Sequence, residues 1–384
     1  MTRNLLAEPD VEPAPETNTP AGDDPPRDRE GRVLLHGLSR AQLASALELD
    51  AADTERVWRA LYRELTPDLA RVPGLSPARA RDLRARARVD ALTLAEVRES
   101  PDGTRKLLLD TDAGARVEAV LIPGARRTTI CISSQVGCAM NCQFCLTAKM
   151  GLRGNLATAE LIAQVVIARR RFRDMPPIGN VVFMGMGEPL HNVERVIAAT
   201  RILVDQRGLD LGARRVTVST SGLVPAIERF GRESPAQLAV SLNATTDEVR
   251  DWLMPVNRRY PLARLLACLR AFPLRPRERI TLEYVLLAGV NDSLADAARI
   301  HDMTQGIACK VNLIPFNEHP GTEFRRPDER VVLAFRDALR ERGVSTSVRR
   351  TRGDETMAAC GQLGRPGPRP PRRTVPPARL KPRA

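Results

Sequence analysis

Three closely spaced cysteines carry the clearest chemical signal in this 384-residue sequence. They occur as Cys138-Ala-Met-Asn-Cys142-Gln-Phe-Cys145, directly after a stretch typical of a β-strand. A loop of this length can bring three thiolates together, and cysteine thiolates are the usual ligands of iron–sulfur clusters. Three ligands leave one iron of a four-iron cubane open, as a catalytic metal requires. The spacing therefore predicts a catalytic [4Fe-4S] cluster, which Phe144 could shield from water.

A zinc site is the alternative for the same three cysteines. Zinc sites usually combine two paired Cys or His motifs. The chain has seven cysteines and four histidines, and no second set follows such a pattern. An odd number of cysteines without an export signal is also a poor basis for a disulfide framework. We therefore expect a metal cluster in a reducing compartment, the cytoplasm.

Composition limits the class of protein. Hydrophobic residues make up 43% of the chain, enough for a large core, and no apolar run is long enough for a membrane helix. The formal net charge is +13, mostly from Arg, whose planar guanidinium suits phosphate oxygens. A nucleic-acid partner is one explanation of this charge, and an Arg-rich genome is another. Aromatic residues are only 3%, which disfavours single-strand binding by base stacking.

Strand-like and helix-like segments alternate along most of the chain. Six apolar strand-like runs are each followed by an amphipathic helix; the runs begin at Thr129, Asn180, Arg215, Gln237, Ile280 and Lys310. Six successive β/α units predict a parallel sheet with right-handed crossovers, and six is fewer than the eight that close a barrel. The expected fold is α/β, a partial (β/α)6 barrel with its functional residues at the carboxyl ends of the strands.

A second motif, Gly185-Met-Gly187-Glu188-Pro189, ends the second predicted strand. In isolation it would be an ordinary turn. Combined with the Cys-x-x-x-Cys-x-x-Cys loop one strand earlier, it resembles the radical-SAM superfamily. The resemblance implies that the open iron binds the amino and carboxylate groups of S-adenosylmethionine, and that Glu188 accepts hydrogen bonds from the amino group. The implied chemistry is reductive cleavage of this cofactor to a 5′-deoxyadenosyl radical.

Further segments resemble one family of that superfamily, the radical-SAM RNA methyltransferases that modify adenosine (the RlmN and Cfr type). The resemblance runs from about Leu34 to Leu363, and its most diagnostic part is Arg352-Gly-Asp-Glu-Thr-Met-Ala-Ala-Cys-Gly-Gln362. The other matching segments are Cys131-Ile-Ser-Ser-Gln-Val-Gly-Cys138, Val181-Val-Phe-Met-Gly-Met-Gly-Glu-Pro189, Val216-Thr-Val-Ser-Thr-Ser-Gly222, Ser241-Leu-Asn-Ala-Thr-Thr-Asp247 and Val311-Asn-Leu-Ile-Pro-Phe-Asn317.

The family resemblance implies catalytic roles for three residues. One S-adenosylmethionine methylates Cys360, and a second one supplies the radical, so that two are used per turnover. The S-methyl carbon then adds to the electron-poor C2 of adenine. Glu118 is implied as the base that removes the proton from that carbon. Cys131 is implied as the thiol that forms a disulfide with Cys360 and frees the product, after which external reduction is needed.

Binding of S-adenosylmethionine is implied for seven residues at or just beyond strand ends. They are Gly187, Glu188, Ser219, Ser241, Leu242, Asn243 and Asn317. Polar side chains at these positions can converge on one ligand. Asn243 departs from the family, which often has His there, although both side chains can form hydrogen bonds.

Each of the three implied catalytic residues also has an ordinary structural interpretation. Cys360, in a Gly-containing loop, would otherwise be read as a surface thiol. Cys131, on an apolar strand, would be read as a small core residue, and Glu118, on an alternating strand, as a solvent-facing one. The remaining cysteines, Cys268 and Cys309, match no catalytic position and are expected in the core.

The rest of the chain divides into smaller units. A stretch with five Arg between residues 79 and 88 reads either as a solvated helix face or as an RNA-contacting one. The expected units are a disordered Pro-rich tail at 1–32, a helical RNA-contacting domain at 33–90, a β extension at 91–127, the partial barrel at 128–350, the catalytic cysteine loop at 351–363 and a disordered basic tail at 364–384.

The leading hypothesis is a methyltransferase acting at C2 of an adenosine in 23S ribosomal RNA, with transfer RNA as a second substrate. Within the family the alternative is methylation at C8, which Pro189 after Gly187-Glu188 disfavours. Outside it, the alternatives are a non-catalytic RNA-binding iron–sulfur protein and a radical enzyme acting on a protein or small molecule. The expected partners are RNA and an external electron donor, without a membrane, for a monomeric enzyme.

Overall fold

The structure of the chain is a computed structural model that describes residues 25–364. Fourteen strands lie in this range: β1 (Val33–Leu34), β2 (Ala87–Arg88), β3 (Leu92–Glu99), β4 (Arg105–Thr111), β5 (Arg116–Ile122), β6 (Thr128–Ile132), β7 (Gln135–Val136), β8 (Gly154–Asn155), β9 (Ile178–Phe183), β10 (Val216–Thr220), β11 (Gln237–Ser241), β12 (Ile280–Leu286), β13 (Cys309–Pro315) and β14 (Thr346–Val348).

Ten α-helices lie in the same range: α1 (Arg40–Leu47), α2 (Ala51–Tyr62), α3 (Pro77–Arg86), α4 (Thr158–Arg171), α5 (Val193–Val204), α6 (Val224–Glu233), α7 (Asp247–Leu253), α8 (Leu262–Arg270), α9 (Leu294–Thr304) and α10 (Glu329–Glu341). Short 3₁₀ helices occupy Leu35–Gly37, Leu69–Arg71, Thr147–Met150, Pro189–Asn192, Ala213–Arg215 and Pro255–Arg258. Among these described helices, none combines the length and apolarity needed to cross a bilayer.

Ten of the strands form one open sheet in the order β14-β13-β12-β11-β10-β9-β6-β5-β4-β3. From β6 to β14 every neighbouring pair is parallel, and from β6 to β3 every pair is antiparallel. The predicted α/β fold with a partial barrel is confirmed. The parallel part has seven strands instead of six, because β14 is only three residues long and too short to give a sequence pattern.

A helix follows each predicted parallel strand, as expected. These segments are helical because their apolar residues recur at helical spacing. At the start of α9, Ser293 accepts a hydrogen bond from the Asp296 amide, as an N-cap residue does. The sequence pattern did not predict α7. This helix is short and begins at Asp247, and the hydroxyl of the preceding Thr246 caps it by accepting from the Val249 amide.

The 3₁₀ helix Leu35–Gly37, which precedes α1, packs on the start of α4. Gly37 makes this contact possible, because a Cβ at this position would lie 2.6 Å from the backbone nitrogen of Ala159. Trp58 and Tyr62 belong to the same buried cluster as the core of the sheet. Residues 25–32, expected in the N-terminal tail, form a turn in which Arg32 pairs with Asp28 at 2.8 Å. The rest of the two predicted tails, residues 1–24 and 365–384, lies outside the described residues.

A fully buried histidine lies at this junction between the N-terminal helices and the barrel. Neither ring nitrogen of His36 has a hydrogen-bond partner among the described residues, and the nearest carboxylate, that of Asp90, is 4.0 Å from Nδ1. Burial lowers the pKa of His36 to about 4, although Asp90 partly opposes the shift. The folded protein therefore holds this imidazole in its neutral form at neutral pH.

Acid should weaken the fold through His36. The unfolded chain takes up a proton near pH 6.5, whereas the folded chain does so only near pH 4, so the contribution to stability is complete above pH 6.5 and falls as the pH drops. Between pH 7 and pH 5 the loss should be about 2 kcal/mol. Denaturant unfolding should show this loss in the wild type and a smaller one in His36→Gln; equal losses in both proteins would contradict the assignment.

Candidate active site

The carboxyl ends of the parallel strands surround one cavity. Polar residues from the ends of β10, β11 and β12 line it, and so do the three cysteines of the loop after β6, Cys138, Cys142 and Cys145. Phe144 lines the same cavity and is itself buried. The cysteine loop therefore lies where the strand order predicts an active site.

The three thiols suit a cluster better than a single metal ion. Among residues 25–364, no set of three or more His, Cys, Asp or Glu side chains converges on one ion-sized point. In a cubane each cysteine binds a different iron, so the sulfur atoms surround the cluster instead of meeting at one centre. Burial raises the pKa of Cys142, and so do the neighbouring Cys145 and Glu188. A thiolate at Cys142 is thus unfavourable unless a positively charged group lies beside it.

Gly187 and Glu188 lie on the wall of the cavity where the family resemblance placed them. Gly187 has a φ of +102°, and a Cβ there would lie 2.6 Å from Cβ of Gln135, so the position requires glycine. The buried Glu188 carboxylate accepts hydrogen bonds from the amides of Leu190 at 3.0 Å and Ser221 at 2.7 Å. Each oxygen retains a lone pair, so the carboxylate can still accept from an ammonium group.

Four of the other five residues predicted to bind S-adenosylmethionine also line the cavity. They are Ser219, Ser241, Asn243 and Asn317. The fifth, Leu242, is not among its lining residues; it is buried, and its amide donates to the carbonyl of Glu283. The side chain of Asn243 holds the next strand in place, because Oδ1 accepts from the Val285 amide at 2.8 Å. Roles for these five residues in cofactor binding stay predictions.

Glu283 on β12 is a cavity residue that the sequence analysis missed. Its side chain is buried and accepts a hydrogen bond from the Ser219 hydroxyl at 2.7 Å. Ser241 and Glu283 are direct partners in the β11–β12 register. A carboxylate in the otherwise apolar strand Ile280-Thr-Leu-Glu-Tyr-Val-Leu286 was the available signal, since an unpaired buried charge is costly.

Arg250 on α7 is a second residue that the sequence analysis missed. It is fully buried and donates to the carbonyls of Ser221 at 2.7 Å, Ser241 at 3.0 Å and Leu242 at 2.9 Å. Burial lowers the pKa of Arg250 to about 10, so the guanidinium stays charged at neutral pH. One side chain thus satisfies carbonyls beyond the ends of both β10 and β11.

Cys360 lies on the loop that follows β14 and lines the same cavity as Cys138, Cys142 and Cys145. Its carbonyl accepts from Asn317 at 3.2 Å, and the carbonyl of the next residue, Gly361, accepts from the Leu146 amide at 2.8 Å. These bonds join the loop to the end of β13 and to the cysteine loop. Cys360 is therefore not the surface thiol that an isolated Gly-containing loop suggests.

Cys131 and Glu118 lie on the neighbouring strands β6 and β5, on one face of the sheet. In the β5–β6 register Cys131 is the partner of Val120, and Glu118, two residues earlier, shares the face of Val120. Glu118 is only 7% exposed, so it is not the solvent-facing residue that strand alternation alone allowed. Its Oε2 accepts a hydrogen bond from the amide of Gly364 at 3.1 Å, which ties it to the far end of the loop.

Lys106 on β4 completes this arrangement and was also missed. Its buried Nζ lies 3.5 Å from Glu118 Oε2 and donates to the carbonyl of Met357 at 3.1 Å. The sequence Arg105-Lys-Leu-Leu-Leu109 gave no sign of this, because a lysine at the start of a strand usually faces solvent. The ammonium group binds the implied base and the implied methyl-carrier loop at the same time.

All seven cysteines are free thiols. Burial raises the pKa of Cys360 to about 11 and that of Cys131 to about 12. The positive charge of Arg349 lowers both pKa values, while a charge on Cys360 raises that of Cys131. Cys268 is buried in the core as expected, whereas Cys309 is half-buried at the start of β13.

Comparison with known proteins identifies the class to which the chain belongs. The family model of the radical SAM superfamily matches residues 132–300. A dual-specificity RNA methyltransferase RlmN from Syntrophobacter fumaroxidans is 50% identical over 275 residues, which are 72% of this chain and 80% of that relative. The protein of the same name from an Anaeromyxobacter species is 47% identical and covers 93% of this chain, with 97% of its own length covered.

A solved structure extends the match to the fold. The crystal structure of a radical SAM methyltransferase from Sphaerobacter thermophilus superposes with a TM-score of 0.82 at 42% identity, covering 86% of this chain and 98% of that one. The open sheet, the three-cysteine loop and the Gly-Glu-Pro wall together define a radical-SAM enzyme, which uses a [4Fe-4S] cluster and S-adenosylmethionine. Within that class, the chain belongs to the RlmN family of RNA methyltransferases.

The cysteine loop can be tested by metal analysis. Protein reconstituted without oxygen should bind about four irons and four sulfides. Cys142→Ala should lose the cluster and its charge-transfer absorption. Cys268→Ala, which changes a buried cysteine whose Sγ contacts the Val224 carbonyl outside the cavity, should keep both. Stoichiometric zinc without charge-transfer absorption in the wild type would contradict the assignment.

Proposed function

We propose that this chain methylates C2 of an adenosine in ribosomal RNA and in transfer RNA, with Cys360 as the methyl carrier. One observation carries the proposal: Cys360 lines the cavity of the three cluster cysteines and Glu188, and the loop that bears it is bonded to Glu118 and Lys106. A thiol in this position can meet the cofactor on one side and a base on the other.

The cofactors supply the methyl groups and the radical when they are bound. The residues implied as cluster ligands are Cys138, Cys142 and Cys145, and Glu188 is the implied partner of the methionine amino group. Cys360 loses its proton to become the nucleophile that takes up the methyl group. Its sulfur thereby holds the carbon that is joined to the base.

Glu118 and Cys131 complete the reaction on the RNA. The Glu118 carboxylate takes the proton from the attacked carbon, as a general base. The Cys131 thiolate attacks the Cys360 sulfur, so that the carbon–sulfur bond breaks with its electron pair passing to the carbon side. The bridging carbon takes up a proton to become the methyl group, and the methylated base leaves. The two cysteines end as a disulfide, which takes two electrons from an external donor before the next turnover. Their adjacent strands and the loop contacts of Glu118 support these roles.

The proposal includes the setting in which the enzyme works. We infer a monomer in the cytoplasm, where the electron donor for the cluster and for the disulfide is available. Free thiols at all seven cysteines are compatible with a reducing compartment.

The two thiols should fail differently when mutated. Cys360→Ala removes the carrier, so neither methylated RNA nor a covalent adduct should form. Cys131→Ala keeps the carrier but lacks the thiol that breaks the bridge, so RNA should remain attached to Cys360 through denaturation and be removed by nuclease. Gel electrophoresis and nucleoside mass spectrometry measure both outcomes, with Cys309→Ala as the matched control. Normal release of methylated adenosine by the Cys131 variant would overturn the proposal.

Glu118→Gln should also stop the reaction late. The amide cannot take up the proton, so the adduct should accumulate although methyl transfer to Cys360 proceeds normally. Mass spectrometry of the Cys360 peptide separates the two steps. Glu96→Gln on β3, an exposed position, is the control and should behave as the wild type. Product formation by the Glu118 variant at an unchanged rate would exclude this residue as the base.

A further inference from the structure

A second, smaller opening adjoins the active site, and Cys360 lines both. The cluster cysteines do not line the second opening; Arg349, Arg350, Thr351 and Arg352 do, together with Asn317. Cys360 thus separates the cofactor side of the site from an opening that is rich in guanidinium groups.

The positive charge at this opening is largely unneutralised. Arg350 is exposed and has no hydrogen bond or ion pair with any residue in the described part of the chain. The carboxylate closest to Arg352 is that of Asp102, at 3.9 Å, which is a weak contact. Isolated like charges kept together at the surface favour a bound anion.

The Arg-rich face of α3 is different. Arg79 and Arg86 both lie 3.4 Å from Asp82, and Arg84 lies 3.3 Å from Asp68. Arg81 alone on this helix lacks a partner among the described residues. Most charge on α3 is therefore already paired within the protein, so the stronger free positive charge lies beside Cys360.

The Arg-containing segment is held in place by its backbone and by Thr351. The amide of Arg349 donates to the carbonyl of Leu313 at 2.8 Å. The Thr351 hydroxyl donates to Asn317 Oδ1 at 2.9 Å and accepts from Arg326 at 2.8 Å. A fixed backbone reduces the entropy lost when the guanidinium groups bind a ligand.

We propose that Arg350 and Arg352 bind a backbone phosphate of the RNA next to the target nucleotide. This inference rests on the proposed function and identifies where the substrate enters. The reacting carbon of the base must reach Cys360 Sγ, so the flanking backbone lies at the opening nearest to that residue. Enzymes that modify a base move it out of its stack and hold the strand by the phosphates. Guanidinium groups bind phosphate oxygens with a planar pair of donors.

The test compares three variants with the same loss of charge, using the cluster-loaded full-length protein and a ribosomal RNA stem-loop. Arg350→Gln should weaken binding at low salt and lower the slope of log affinity against log salt by roughly 0.7–0.9. Arg173→Gln lies between α4 and β9, at the opposite ends of the strands from the site, and should match the wild type. Arg81→Gln measures the contribution of α3.

Methyl transfer to Cys360 in the absence of RNA should be the same in all of these proteins, because it needs only the cofactor side of the site. Equal slopes for Arg350→Gln and Arg173→Gln would overturn the inference, and so would a larger effect of Arg81→Gln than of Arg350→Gln. The binding measurement does not require turnover. A wild-type protein that binds RNA without methylating it would therefore refute the proposed function. The salt slopes of the three variants would still test whether Arg350 binds a phosphate.

Discussion

The site depends on one segment, residues 351–364, which spans the gap that the open sheet leaves. The sheet ends at β14 on one side and at the β3–β5 hairpins on the other, so the strands alone do not enclose a chamber. The segment bonds to Ser100, Asp102 and Lys106 on the hairpin side and to Asn317 on the β13 side. Because Cys360 lies within this segment, the contacts that close the chamber also position the thiol.

Polar groups buried behind the chamber make that closure possible. Backbone carbonyls beyond the strand ends would be left without partners in a buried site, at a cost of about 1–3 kcal/mol each. Arg250 satisfies three of them, and the Ser133 hydroxyl links the carbonyl of Glu118 to the amide of Met186. The wall formed by Gly187 and Glu188 is held in the same way by Gln135, whose Oε1 accepts from the Glu188 amide at 2.8 Å. Several family segments thus have a structural role as well as a chemical one.

The sequence was sufficient for what periodicity and spacing determine. Apolar alternation predicted six of the seven parallel strands, and the cysteine spacing predicted the loop at the carboxyl end of β6. It was insufficient where a residue acts through tertiary contacts. Arg250 and Lys106 are charged residues whose partners lie on other elements, and no local pattern reveals that they are buried. Leu242 shows the opposite kind of error. The family resemblance implied that this residue at a strand end binds the cofactor, but it does not line the cavity.

Burial also determines when the two thiols can react. In the proposed mechanism a thiolate is the nucleophile in both methyl uptake and bridge cleavage, yet burial raises the pKa of Cys360 to about 11 and that of Cys131 to about 12. Protonated thiols in a closed chamber react slowly with any alkylating or oxidising compound that enters. The Arg349 guanidinium is a positive charge that lowers both pKa values, against the opposing charge of Glu283. Burial therefore disfavours both thiolates, while Arg349 provides the charge that stabilises each of them when it forms.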